Sequence, residues 1–150
     1  MNTKAIIFPA SRSINHEENL DILMKIEDFL TSWKAYENPL QSNVCIEYEQ
    51  FIIICIDENI EPASGCSLDA LNNFIRKIEQ KYQLELFDRM KAVFLENNTL
   101  KTLKLRDFRA ALKNKELRSD ILIFDFSSNN EEEFSKRFLL PLKESWAKDY

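Results

Sequence analysis

Glycine is nearly absent from this chain: one residue in 150, beside four prolines, one histidine and three cysteines. So little glycine and proline excludes collagen-like and low-complexity chains and argues against disorder. The single His16 cannot complete a usual zinc site, and no CxxC or Cys/His cluster is present. Three cysteines make no disulfide framework. Cys45 and Cys55 fall in apolar, strand-like runs, where cysteine acts as a small hydrophobe. Free thiols of this kind point to a reducing compartment. The apolar run in "MNTKAIIFPASRS" is too short for a signal-peptide core or a membrane span. The expectation is therefore a cytoplasmic, soluble protein with no membrane partner, metal or cofactor.

Apolar residues make up 45% of the chain and include 11 Phe, enough for one domain spanning residues 1–150 to bury its own core. The net charge is −5, unevenly spread. From Lys101 to Arg118 seven basic residues face only Asp107 and Glu116, so this segment carries +5 and the remainder −10. An acidic whole makes nucleic acid an unlikely partner. The basic stretch reads as a solvated helix face, paired with Glu131, Glu132 and Glu133 or meeting an acidic partner.

Strand-like and helix-like periodicities alternate along the chain. "KAIIFPA" (4–10) reads as a strand. Residues 15–34 read as a helix capped by Asn15, with Glu18 reaching back as in a capping box and Ile22, Ile26, Phe29 and Trp33 on one face. Residues 43–57 read as a hairpin turning at Glu49-Gln50. Its second strand, "FIIICI", is apolar throughout, as expected of a strand covered on both faces. A helix over 67–83 follows, with Leu68, Leu71, Phe74, Ile75, Ile78 and Tyr82 on its apolar face. Strands over 87–96 and 99–105, turning at Asn97-Asn98, precede a helix over 106–117, a strand over 119–126 and a helix over 130–140.

Through residue 96 the order is β-α-β-β-α-β, the ferredoxin-like pattern, and the remainder adds β-α-β-α. The expected fold is α+β, with helices on a largely antiparallel sheet; the alternative is a mixed sheet with helices on both faces.

The candidate site lies in "DENIEPASGCSLD". The connection from Glu58 to Cys66 exceeds the roughly two to six residues usual between a strand and a helix, as binding loops often do. It feeds a helix start expected at Ser67, where unpaired N–H groups favour anions. Gly65 is expected to allow the sharp approach to the helix. Asp57, Ser64, Gly65, Cys66 and Ser67 are thus the candidate binding residues. Cys66, just ahead of a helix, is a candidate nucleophilic or redox thiol, although no base is close in sequence. Arg12, in the loop "PASRS", joins them only if the first and third strands run parallel; in a ferredoxin-like sheet the two loops lie at opposite ends. Asp57 and Glu58 together could bind a metal or act as acid and base, but no third ligand is identifiable.

The stretches "PASR", "SWKAYENPL", "FIIICIDE", "ASGCSLD", "LFDR" and "PLKESW" resemble a family of small bacterial proteins of about this length, commonly labelled "ABC transporter ATPase". The resemblance runs nearly end to end. That label implies ATP hydrolysis. A Walker A loop needs several glycines before Gly-Lys-Ser/Thr, and one glycine followed by Cys66 cannot supply it. The resemblance therefore carries over no catalytic residues. The leading functional expectation is a non-enzymatic binding or adaptor protein acting through the 58–66 loop, with a protein or a small anionic ligand as partner. A thiol-dependent enzyme or redox sensor using Cys66 is the alternative, and an ATPase comes last.

Overall fold

The computed structural model describes residues 3–127 and 129–150. It is an α+β fold whose strand pairings are all antiparallel among the described residues. Strand β1 (Thr3–Pro9) leads into helix α1 (His16–Thr31). Asn15 caps α1: its side chain accepts from the Glu18 N–H, and Glu18 accepts from the Asn15 N–H, as expected. The helix stops at Thr31, earlier than its periodicity suggests. The chain then folds into a tiny hairpin, β2 (Lys34–Ala35) and β3 (Asn38–Pro39), with Tyr36 and Glu37 at positive φ.

Strands β4 (Ser42–Glu47) and β5 (Phe51–Asp57) form the expected hairpin, with Tyr48 and Glu49 left-handed at its turn. Helix α2 (Gly65–Tyr82) follows. Strands β6 (Lys91–Glu96) and β7 (Thr99–Lys104) turn on Asn97 and Asn98, both at positive φ, as asparagine tolerates in tight hairpins. Helix α3 (Leu105–Lys113), strand β8 (Leu122–Phe124), helix α4 (Glu131–Arg137) and strand β9 (Leu139–Pro141) complete the chain, with a 3-10 turn at Leu142–Glu144. The expected last helix is cut short, because residues 139–141 pair with β8 instead. Pro141 is tolerated there because β9 is an edge strand.

The strands form two main sheets, ordered β1-β5-β4 and β7-β6-β8-β9. One face of the first sheet, through Phe8, Ile52, Ile54 and Ile56, packs on Ile22 and Ile26 of α1 and Leu71 and Ile75 of α2. Its other face, through Ala5, Ile7, Phe51 and Ile53, packs on Val93 and Phe124 of the second sheet. The far side of that sheet, through Ala92, Phe94 and Ile123, is covered by Phe108 of α3 and by the C-terminal segment around Ala147 and Trp146. The layers run helix, sheet, sheet, helix. The unbroken apolar run of β5 is explained: both of its faces are covered.

The order β1-β5-β4 matches the first three strands of the ferredoxin-like pattern, but β6 does not add to β1 to complete it. After α2 the chain does start back along β1, with the Ser11 N–H donating to the Leu84 carbonyl. Gln83 and Glu85 are then left-handed, which breaks the extended backbone a fourth strand needs. Substitutes serve the second edge of β1. Lys91 Nζ donates to the Pro9 carbonyl at 2.7 Å, Arg89 Nη2 to the Ile7 carbonyl at 2.7 Å, and the Ala5 N–H to the Asn129 carbonyl at 2.9 Å. Two long cationic side chains stand in for a backbone ladder, and a gap opens beside the strand. Among the described residues no helix is long and apolar enough to cross a membrane.

Candidate functional site

Asp57, Ser64, Gly65, Cys66 and Ser67 gather where β5 ends and α2 begins, but in a different arrangement from the expected one. The helix starts at Gly65, so its cap is Ser64 rather than Ser67, and the connection spans only residues 58–64. Ser64 Oγ accepts from the Ser67 N–H at 3.1 Å, and Ser67 Oγ accepts from the Ser64 N–H at 2.8 Å. Both serines are buried. Trp33 Nε1 donates to the Ser67 carbonyl at 2.8 Å, tying the end of α1 to this first turn. Gly65 does not make a left-handed turn: its φ is not positive, and an added Cβ would meet nothing within 4 Å.

The connection is also satisfied from within. Asp57 Oδ1 accepts from the Asn59 N–H and from Asn59 Nδ2, and Glu58 Oε2 accepts from the Ala63 N–H. These carboxylates hold the loop's own shape. No group of three or more His, Cys, Asp or Glu is placed to hold a metal ion among the described residues.

Arg12 is not part of this cluster. β1 and β5 are antiparallel, with Thr3 opposite Asp57 and Pro9 opposite Phe51. Arg12 therefore lies at the other end of the sheet. It donates to the Tyr82 carbonyl at 2.6 Å, at the C-terminus of the same helix whose first turn holds Cys66. Eighteen helical residues separate the ends by roughly 27 Å. Arg12 also forms a two-pronged pair with Glu18, at 2.9 and 2.8 Å, and this hydrogen bonding holds the Glu18 carboxyl below its usual range. His16, the first residue of α1, stands at that far end as well, so it cannot serve Cys66 as a base.

Cys66 is an exposed free thiol. Cys45 and Cys55 are half-buried on neighbouring strands. Burial pushes the Cys55 thiol up to about 11 and raises that of Cys45 too, with Glu47 and Glu131 adding to the latter.

A different site lies in the gap beside β1. A cleft of about 550 Å³ runs along Lys4–Ile7, roofed by Leu68 and Asn72 of α2 and closed by Arg89, Phe126, Ser127 and Asn129. Arg89 anchors it. Its Nη1 donates to the Phe126 carbonyl at 3.0 Å and its Nη2 to Ile7, while the guanidinium lies 5.9 Å from the Phe126 ring centre. Two N–H groups are thus held by carbonyls, and three of the five remain. Burial pulls the Arg89 pKa down. Neither Arg89 nor Lys4 forms an ion pair among the described residues. The described lining contains no carboxylate.

A smaller adjoining space of about 170 Å³ shares Arg89, Phe126 and Ser127 with the cleft and is lined also by Lys91 and the carboxylate of Asp125. Lys91 is buried and contacts only carbonyls, those of Pro9 and Glu85, and burial lowers its pKa to about 8.

The cleft is not legible in the sequence, because Arg89 and Lys91 sit in a stretch whose pattern is that of a plain strand. The available signal was two cations at alternating positions leading into the apolar run "AVFL". The basic segment behaves largely as a solvated face: Lys101 pairs with Glu96, Arg118 with Asp120, and Arg109 lies over Tyr150. Glu132 pairs with Lys136 on its own helix.

No protein-family model matches the chain, and no curated protein or solved structure matches it either.

Proposed function

We propose that this chain is a non-enzymatic, cytoplasmic binding protein for a small anionic ligand, held in the cleft beside β1. One observation carries the reading. Lys4 and Arg89 line the cleft with no carboxylate in its described lining, and although Arg89 as a whole is exposed, its inner hydrogen bond to the Ile7 carbonyl is partly buried. A cation withdrawn from water without a counter-charge is costly, and an anionic ligand would offset that cost. The cleft's volume suits a small molecule. A protein partner adding a strand to β1 fits less well, because Ala5 and Ile7, whose backbones it would have to pair with, are buried. The free thiols suit a reducing compartment.

Titration of the 15N-labelled protein with acetate and with inorganic phosphate at low ionic strength tests the reading. Amides of Ala5, Ile7, Asn72 and Ser127 are expected to shift, and Lys4→Gln to weaken binding several-fold. Shifts confined to residues 58–67 would return the site to the loop; no shifts anywhere would defeat the reading.

Exposure of Cys66 keeps a thiol function as the second reading. Alkylation of Cys66 no faster than free cysteine at neutral pH counts against it. The family resemblance rests on the sequence stretches alone, and a thermal shift induced by ATP would support its label.

A further inference from the structure

Beyond its charge, the cleft has a polarity along its length. Arg89 reaches β1 at Ile7, and Lys4 stands three residues away, roughly 10 Å along the strand. The walls include the apolar side chains of Ile6 from β1, Leu68 from α2 and Phe126, beside the polar Asn72, Ser127 and Asn129. Arg89 is the cation fixed in place: the residue is exposed, but its guanidinium is held by the two carbonyls of Ile7 and Phe126. One such cation matches one negative charge. The site shows no glycine-rich nest of backbone N–H groups of the kind that cradles a phosphate. A planar guanidinium with N–H groups to spare suits a carboxylate. An ion as small as acetate would occupy little of 550 Å³ and leave Ile6, Leu68 and Phe126 facing water.

We infer that the ligand is a monocarboxylate with an apolar body: the carboxylate on Arg89 and the body along Ile6, Leu68 and Phe126, with Lys4 at the open end. This rests on the cleft being the anion site proposed above.

Binding of acetate, hexanoate, hexanamide and inorganic phosphate, followed by calorimetry and by the amides of Ile6, Leu68 and Phe126, tests it without altering the protein. Hexanoate is expected to bind at least tenfold more tightly than acetate, since each buried methylene adds to affinity. It should also bind at least tenfold more tightly than neutral hexanamide, and phosphate should bind no better than acetate. If hexanoate gains nothing over acetate, or phosphate binds best, the inference fails while the anion site stands. If hexanamide equals hexanoate, or no anion perturbs the cleft, the anion site falls too.

Discussion

Lys91 shows how one residue can take the place of a strand contact. Its ammonium spans from Pro9 to Glu85 and is buried with only carbonyls for partners. Carbonyls satisfy its hydrogen bonds, and burial lowers its pKa from 10.5 to about 8, only partly opposed by the carboxylates of Asp88, Glu85 and Glu79. The sign follows directly. Below about pH 8 the amine is charged in both folded and unfolded chains, and the full cost of burying it is present. Between about 8 and 10.5 the folded chain binds fewer protons than the unfolded one, so stability rises with pH through that window, by on the order of 3 kcal/mol. Cys55, raised to about 11, acts in the opposite sense at alkaline pH. The comparison of wild type with Lys91→Met isolates the lysine. Denaturant unfolding at pH 7.5 and pH 10 should show wild type gaining stability relative to the variant; an unchanged difference would mean that Lys91 titrates normally.

At the level of elements, the start of α2 is built on reciprocal serine caps rather than on its glycine. Ser64 and Ser67 satisfy each other's N–H groups, and the backbone at Gly65 is accessible to any L residue. Gly65→Ala is therefore expected to raise stability by roughly 0.5–1 kcal/mol, because alanine loses less backbone entropy in a helix and meets no neighbour. Thermal unfolding checks this; a loss of stability would show that the glycine is needed. Much at this scale was legible in the sequence. The Asn15/Glu18 capping box and the Asn97-Asn98 turn are short-range devices whose partners lie within a few residues. Less legible was the β4–β5 turn, which uses left-handed Tyr48 and Glu49. Those residues have weak local preference for it. The turn is held from elsewhere: the Ile14 N–H donates to the Glu49 carbonyl, and the buried Gln50 side chain donates to Ala10 and Thr102.

For the whole molecule, the packing of the two sheets matters most. Phe51 on β5, Phe124 on β8 and Phe138 beyond α4 meet at ring-centre separations of 4.8 to 5.1 Å. Phe124→Ala opens a cavity between the sheets and should cost about 3–5 kcal/mol, a large part of the roughly 5–15 kcal/mol of a typical domain. Trp33 lies in the helical layer on one side and Trp146 in the layer on the other, so single-tryptophan variants report each half separately. Coincident denaturation curves from the two are expected of one cooperative domain. Separate transitions would divide the chain in two.

The sequence by itself determined the α+β class, the order of most elements, the helix faces and the double coverage of β5. These follow from local propensity and from periodicity, which are written in neighbouring residues. Only the tertiary structure decided that β6 leaves β1 for a second sheet, that Arg12 and Cys66 stand at opposite ends of α2, and that a cleft opens beside β1 whose two cations form no ion pair among the described residues. Each of these depends on which distant backbone groups pair. Such pairing is decided by competition between long-range partners, and left-handed Gln83 and Glu85 mark the place after α2 where the chain turns away from β1.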